Sequence, residues 1–212
     1  MIRFINRCDA GQQLAVKLVA YENNANVIVL GIPRGGVVVA AEIARALHVP
    51  LDVFITRKIG APFNHELALG AVASDGTVVL DEPLIHELGV SHRQIERECE
   101  NQKHEIRRRS DLYRQDRRAL ELENKTVIVV DDGIATGSTM LAALRALRQK
   151  KPARIVLAVP VAPFQTVPLL RAECDELVLL GVPEPFIAVG YFYADFEQVT
   201  DEEVIQRLRG AA

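Results

Sequence analysis

The chain has 212 residues, of which 49% are hydrophobic and 25% are charged, and its formal net charge is -3 at pH 7. This length suits one α/β domain with a full core and is short for two. The weak net charge excludes a global basic field that would attract nucleic acid or membranes, so any basic patch must be local.

The cysteines and the N-terminus bear on the cellular compartment. Cys8, Cys99 and Cys174 lie far apart, and none has a second ligand at the spacing of a zinc site. Such a sparse, odd set is typical of a reducing compartment and argues against disulfides or a structural metal. The first residues lack the apolar core of a signal peptide, and charges interrupt the long apolar runs. We therefore expect a soluble cytoplasmic protein with no membrane span.

The first elements predict a strand between two helices. Asp9 can cap a helix over residues 10–21, a buried strand follows at 27–30, and an apolar helix is predicted over 37–48. The turn after the strand, residues 31–36, contains one cation and three glycines. Small residues let a ligand approach the backbone, and a cation beside a helix N-terminus suits an anion. The alternative is a turn whose glycines only permit tight packing.

A strand predicted over residues 51–55 delivers Arg57 and Lys58 at its carboxyl end. Ligands bind outside the carboxyl ends of the strands in open α/β sheets, and two cations at such an end suit a polyphosphate. If the pair stood alone, a solvated basic pair would be the default interpretation. Residues 59–80 then predict a protruding ribbon, because Asp-Gly between two apolar runs is a strong hairpin signal. At its root, His65 and Glu66 either protonate or orient an acceptor or are merely exposed polar residues.

A long polar helix is predicted over residues 91–120, after a short helical segment that begins at Pro83. Its thin apolar seam is typical of a surface helix or of one that packs against a second subunit in a homodimer. Its second half is rich in arginine, which is usually a solvated face and alternatively an RNA-binding one. These arginines are Arg107, Arg108, Arg109, Arg114, Arg117 and Arg118.

Residues 127–139 are the most informative stretch, because a β-branched strand ends there in two carboxylates and a small-residue loop. The loop opens a helix for which Ser138 or Thr139 is the expected N-cap. The unpaired N–H groups of such a helix suit a phosphate monoester, and Asp131 and Asp132 can accept hydrogen bonds from vicinal hydroxyls. These features predict a sugar-phosphate pocket; the plain alternative is a βα turn with solvated capping aspartates.

Two further buried strands are predicted at residues 154–160 and 176–180, which indicates a doubly wound parallel sheet of about five strands. Residues 181–200 are rich in aromatic side chains, including Phe186. These rings either form a wall on which a flat base stacks or plug the edge of the sheet. A capping sequence at Thr200 predicts a terminal helix.

The stretch 127–139 resembles the phosphoribosyl pyrophosphate (PRPP) motif of the type I phosphoribosyltransferases, in which a hydrophobic strand runs into two acidic residues and a Thr-Gly-small-Thr loop. This resemblance covers about residues 27–181. It implies transfer of a phosphoribosyl group from PRPP to a nitrogenous base or related acceptor, with Mg²⁺ bound mainly through PRPP. It also implies a single domain over 1–212, with a lid at 59–80 and a hood at 181–200.

The resemblance assigns roles to individual residues. The turn after the first strand would bind pyrophosphate, the aspartates the ribose hydroxyls and the loop after them the 5′-phosphate. The residues that would bind PRPP and the acceptor are Arg34, Gly35, Gly36, Asp131, Asp132, Gly133, Ala135, Thr136, Gly137, Ser138, Thr139 and Phe186. Arg57 and Lys58 would act in catalysis by holding the leaving pyrophosphate, and Glu66 is a further catalytic candidate from its place at the root of the ribbon.

One departure from the family pattern concerns the acceptor. Hypoxanthine- and guanine-specific members have an acid where this chain has Ala135, which counts against a 6-oxopurine. The adenine- and orotate-type motifs are more similar, but the long helix and the short hood match neither. The competing hypothesis is a regulator that binds PRPP or a nucleotide and contacts RNA, and a third is an enzyme for another sugar phosphate.

Overall fold

The computed structural model describes residues 2–74, 76–115 and 117–210, with the backbone alone for His65 and Glu66. The strands are β1 Val27–Gly31, β2 Leu51–Val53, β3 Thr56–Ala61, β4 Asn64–Ala73, β5 Val78–Leu80, β6 Thr126–Val130, β7 Arg154–Val161 and β8 Glu176–Gly181. Five of them form a parallel sheet in the order β2-β1-β6-β7-β8. The other three form a separate antiparallel sheet in the order β3-β4-β5.

The helices cover both faces of the parallel sheet. They are α1 Arg7–Lys17, α2 Gly35–Leu47, α3 Glu82–Glu87, α4 His92–Arg114, α5 Ser138–Arg148, α6 Val167–Glu173 and α7 Asp201–Gly210. Along β1, Val27 and Val29 share a core with α1 and α2, whereas Ile28 and Leu30 share one with α5 and α6. The predicted doubly wound α/β class is therefore confirmed. Within the described residues, no helix has both the length and the apolar surface that crossing a bilayer demands.

The strand order creates a crevice beside β1. The chain runs from β1 outward to β2 and later returns to pair β6 with the other side of β1. Where the strand order reverses in an open α/β sheet, a crevice opens at the carboxyl ends, and ligands bind there. Gly31 is level with Val130 of β6 and with Val53 of β2. The three segments that follow these strands therefore leave the sheet side by side.

The predicted boundaries of two helices were wrong, because capping and turn residues decide them. α1 begins three residues earlier than expected, since Asn6 and not Asp9 caps it: the Asn6 side chain accepts a hydrogen bond from the Asp9 N–H at 3.0 Å. α4 ends at Arg114 rather than near residue 120, and Gln115 leaves the helix with a φ of 52°. The cap predicted at Thr200 is confirmed by its hydroxyl, which accepts from the N–H of Glu203.

The segment after β2 also differs from the prediction. β2 ends at Val53 and not at residue 55, and Thr56–Ala61 forms a strand of the antiparallel sheet. Arg57 and Lys58 therefore lie on a strand that is braced by pairing with β4. A tight turn then joins β3 to β4, because Ala61 pairs directly with Asn64.

The hairpin predicted between β4 and β5 is present. The two strands pair antiparallel, and the Gly76 N–H donates to the Ala73 carbonyl at 2.9 Å in the connecting turn. Asp75 of that turn lies outside the described residues. The functional division into one domain with a lid and a hood stays a prediction.

α4 is anchored at its C-terminal end. The buried Tyr113 donates to Asp201 of α7 at 2.5 Å, and Arg114 pairs with the buried Asp52 of β2 at 3.1 Å. Arg108 and Arg109 both pair with Glu105. Three of the six arginines in the predicted basic run are therefore paired within the chain and share two carboxylates, which reduces the positive charge available to RNA.

Candidate functional site

The acidic pair lies at the crevice beside β1, directly after the buried strand β6. Asp131 is oriented by the backbone of the next residue, since its Oδ1 accepts the Asp132 N–H at 2.9 Å. Asp132 is held from outside: Arg7 Nε donates to its Oδ2 at 2.7 Å, and the Tyr193 hydroxyl donates to its carbonyl at 2.5 Å. Burial and the charge of Asp132 raise the pKa of Tyr193, so its hydroxyl stays protonated as a donor.

Asp131 is in an environment that disfavours its charge. Burial and then the neighbouring carboxylate of Asp132 raise the pKa of Asp131 well above its usual range. Hydroxyl groups or a cation arriving from a ligand would stabilise the ionised form, because hydrogen bonds and positive charge both favour a carboxylate. Asp131 is thus suited to accept from a bound polyol.

Two helices begin at this crevice without a side-chain cap among the described residues. α5 follows Gly137 at a φ of 81°, a conformation that favours glycine, and not Ser138 or Thr139 as predicted. α2 follows Arg34, likewise without a cap, whereas Asn6 caps α1. Uncapped ends leave amide N–H groups without an acceptor in the helix, which suits an external anion.

The glycine-rich turn before α2 lies in contact with the acidic pair. A Cβ atom on Gly35 would overlap Asp132 Oδ2, and one on Gly36 would lie 2.7 Å from the Val130 carbonyl oxygen. The Ile32 N–H also donates to that carbonyl at 2.9 Å. These glycines therefore do permit tight packing, as the alternative interpretation predicts. Their binding of an anion stays a prediction.

A cavity of about 320 Å³ adjoins this turn and is walled by β3, α4 and the start of α5. Arg57 and Lys58 line it together with Pro33 and Thr139, so the two predicted cations do lie beside the two predicted loops. The wall that α4 supplies was not predicted from the sequence. The apolar positions of this helix are few, and they do not show which of its polar side chains face a cavity. That wall consists of Glu98, Gln102 and Arg109.

The other predicted site residues contact other segments or are not described. Arg34 approaches Asp201 of α7 to 4.0 Å. The side chain of Glu66, on β4, lies outside the described part of the chain. Phe186 packs on the buried Phe192 at a ring-centroid distance of 5.2 Å, in a cluster that joins Phe4 to the sheet edge. This packing matches the plug interpretation of the aromatic segment, and base stacking on Phe186 stays a prediction.

Arg7 is a site residue that sequence reasoning missed. Besides its bond to Asp132, its guanidinium lies 3.8 Å from the centre of the Phe196 ring and donates to the Glu197 carbonyl at 2.8 Å. Val189 lies so close to Gly133 that a Cβ atom on Gly133 would overlap Val189 Cγ1. The N-terminal helix and the C-terminal segment therefore meet on the acidic loop.

Comparison with known proteins identifies the family. The chain matches the family model described as "Phosphoribosyl transferase domain" over residues 5–191. The chain belongs to this family. Two Mycobacterium tuberculosis proteins, from strains CDC 1551 / Oshkosh and H37Rv, bear the name "Putative phosphoribosyl transferase"; each is 41% identical over 202 residues, which cover 95% of this chain and 45% of theirs. The chain thus spans about half the length of these curated relatives.

A solved structure resembles this phosphoribosyl transferase domain over its whole length. The protein TT1426 from Thermus thermophilus is 44% identical, with a TM-score of 0.91 and coverage of 100% of both chains. The family resemblance predicted from residues 127–139 is therefore confirmed. The roles of individual site residues remain proposals.

The contact between Arg7 and Asp132 makes a testable contribution to stability. Their side chains are only 11% and 16% exposed, so replacing Arg7 with Met should leave a poorly solvated carboxylate and cost about 1–3 kcal/mol of unfolding free energy. Urea denaturation of Arg7→Met, Asp132→Asn and the double variant measures this cost. We expect the double variant to lose less than the sum of the single losses; additive losses would show that the pair is not coupled.

Proposed function

We propose that this domain transfers the 5-phosphoribosyl group of PRPP to a nitrogenous base or related small-molecule acceptor, with release of pyrophosphate. One juxtaposition supports the proposal. The acidic pair after β6 touches the glycine turn after β1, and the adjoining cavity brings Arg57 and Lys58 beside Thr139. PRPP carries a monophosphate, vicinal hydroxyls and a diphosphate. It therefore needs one anion site for each phosphate group and, between them, hydrogen-bond acceptors for the hydroxyls.

In this proposal catalysis consists of positioning and charge stabilisation. The bond between the anomeric carbon and the pyrophosphate oxygen breaks with its electron pair leaving on pyrophosphate, the acceptor nitrogen bonds to that carbon, and a proton leaves the acceptor. A transition state of oxocarbenium character is expected, as in glycoside hydrolysis. Arg57 and Lys58 would stabilise the charge that develops on the leaving group. Fixing the ribose through Asp131 and Asp132 would align the reacting carbon.

The loops would hold the two phosphate groups. Arg34 and the N–H groups of Gly35 and Gly36 would bind pyrophosphate from the side of α2. The N–H groups and hydroxyls that precede and open α5 would bind the 5′-phosphate. The residues in this second set are Gly133, Ala135, Thr136, Gly137, Ser138 and Thr139.

Mg²⁺ fits the site as a cation that enters with PRPP. Within the described residues, no three His, Cys, Asp or Glu side chains are grouped to hold a metal ion. Mg²⁺ commonly keeps several waters and binds through one or two carboxylates plus substrate phosphates, and Asp131 and Asp132 supply such carboxylates. When bound, the ion would add positive charge to the diphosphate oxygens.

The antiparallel sheet and the aromatic segment would complete the acceptor side. We propose that β3, β4 and β5 act as a lid that keeps water from the reactive sugar. Glu66 on β4 would protonate or orient the acceptor, and Phe186 would stack on it. A cytoplasmic role in nucleotide metabolism, in a monomer or a homodimer, belongs to the same proposal.

Calorimetric titration with PRPP, with and without Mg²⁺, tests the donor site, and a pyrophosphate-release assay over a panel of purine and pyrimidine bases tests the reaction. We expect micromolar binding that Mg²⁺ strengthens, and release with at least one base. Tight binding without release across the panel would favour the regulator. Failure of the folded protein to bind PRPP at all would refute the proposal.

A further inference from the structure

The cavity beside Arg57 contains a buried hydroxyl group with no partner within the described chain. Thr56 is 8% exposed, and its Oγ1 has no hydrogen-bond partner among the described residues. Thr56 lines the same cavity as Arg57 and Lys58. Buried polar groups in folded proteins are almost always hydrogen-bonded, because an unsatisfied one loses its hydration without compensation. Thr56 therefore brings a hydroxyl with unused hydrogen-bonding capacity to the wall of this cavity.

Arg57 is held against α4 by a short chain of hydrogen bonds. Its Nε donates to Gln102 Oε1 at 2.8 Å, and Gln102 Nε2 donates to Glu98 Oε1 at 2.6 Å. A carboxylate can only accept, so Glu98 fixes the Gln102 amide with its NH₂ group toward Glu98 and its oxygen toward Arg57. The bond to Gln102 engages only the Nε–H of the guanidinium. The terminal N–H groups, which form the planar fork that suits phosphate oxygens, are not consumed by it.

The charge on the cavity wall selects an anion. Arg57, Lys58 and Arg109 line the cavity together with Glu98, and Arg109 also pairs with Glu105 of its own helix at 2.7 Å. Glu98 contacts the amide of Gln102 and thus stands one side chain away from Arg57. The neutral amide therefore orients the guanidinium without neutralising it. A diphosphate offers only acceptor oxygens and several negative charges, which suits the guanidinium groups of Arg57 and Arg109 and the hydroxyl donor of Thr56.

We propose that Gln102 is a positioning residue for Arg57, and that α4 thereby forms one wall of a diphosphate subsite whose donors include Thr56 and Arg109. The inference rests on the proposed function and extends it to a helix that the PRPP motif does not contain. α4 suits this role because its end is anchored: Tyr113 bonds to Asp201 of α7, and Arg114 pairs with Asp52 of β2. A rigid support of this kind keeps a binding side chain at a constant place.

Replacing Gln102 with Leu or with Glu separates orientation from charge. Gln102→Leu removes the acceptor that orients Arg57. Binding of inorganic pyrophosphate should weaken by about ten-fold, because one charge-assisted hydrogen bond from Arg57 is no longer aligned. Gln102→Glu keeps an acceptor for Arg57 but adds a negative charge, so its loss of affinity should be larger at low salt and shrink as salt rises. Neither variant should change the affinity for ribose 5-phosphate, which lacks the diphosphate.

The control is Asn101→Leu, at the next position of α4, where the side chain is exposed. It makes the same kind of substitution on the same helix and should leave both affinities unchanged. Calorimetry with pyrophosphate and with ribose 5-phosphate measures each variant after its fold is checked by circular dichroism. Wild-type pyrophosphate affinity in Gln102→Leu, or an equal loss for both ligands, would overturn the role of Gln102. Binding of PRPP by the wild-type protein would still uphold the proposed function in either case.

Thr56→Val tests the orphaned hydroxyl separately. This substitution removes the hydroxyl and keeps the branched shape of the side chain. Because an unsatisfied buried polar group is removed, we expect thermal stability to stay equal or to rise. Pyrophosphate affinity should fall several-fold if the hydroxyl donates to the ligand. A loss of thermal stability together with unchanged pyrophosphate affinity would show that Thr56 serves the core and not the subsite.

Discussion

Replacing both Asp131 and Asp132 with Asn is expected to lower the affinity for PRPP by about 100-fold or more. Each carboxylate would accept a charge-assisted hydrogen bond from a ribose hydroxyl, and bonds to charged groups contribute about 1.5–3 kcal/mol each. The charge of the pair would also be lost to any Mg²⁺ that PRPP brings. Calorimetric titration of the double variant with PRPP and Mg²⁺ measures the effect, and pyrophosphate release should fall in parallel.

A matched control separates this effect from a general change of charge. Asp111→Asn with Glu123→Gln also removes two carboxylates, on α4 and on the segment before β6, where both side chains are exposed. This control should bind PRPP as the wild-type protein does. Because Asp132 also holds Arg7, the stability of the double variant must be measured beside its affinity. Unchanged binding and turnover in a folded Asp131→Asn/Asp132→Asn protein would remove the acidic pair from the site.

Gly36→Ala is expected to damage both the fold and the donor site. The added methyl group would lie 2.7 Å from the Val130 carbonyl oxygen and 2.8 Å from the Asp131 Cα, and both are backbone atoms that cannot turn aside. Overpacking of this kind costs about 1–3 kcal/mol and pushes the two loops apart. We therefore expect a lower midpoint in urea denaturation and weaker PRPP binding in the folded fraction.

Gly210→Ala provides the comparison, because a Cβ on this glycine at the end of α7 would meet nothing within 4 Å. Alanine is the better helix former by about 1 kcal/mol in a helix interior, so this variant should be neutral or slightly more stable. If Gly36→Ala unfolds at the same urea concentration as Gly210→Ala and binds PRPP normally, the turn and the acidic loop are not in tight contact.

Much of the framework could be predicted because its signals are local. The β-branched runs of β1, β6 and β7 have the composition of strands that are buried on both faces, and each is bounded by turn residues. The acidic pair and the hydroxyl-rich loop follow β6 directly, so the chain itself places them at the carboxyl edge of the sheet. The family assignment followed from this one contiguous stretch.

The errors lie where a local pattern permits two outcomes. Arg57 and Lys58 can end a parallel strand or lie inside an antiparallel one, and pairing with β4 decides for the second. Ser138 and Thr139 are both good caps, yet Gly137 precedes α5, because the left-handed turn of the loop requires a positive φ. In each case a partner elsewhere in the chain, or the path of the loop, outweighs residue preference.

The sequence by itself determined the α/β class, the approximate number of parallel strands and the residues of the acidic loop, because hydrophobic period and turn chemistry act over a few neighbouring residues. Only the tertiary structure decided that Arg7 holds Asp132, 125 positions away, and that Gln102 holds Arg57, 45 positions away. Polar partners of this kind leave no periodic signal, since any exposed arginine or glutamine has the same local pattern. Docking of α1 and α4 against the sheets brings them to the site.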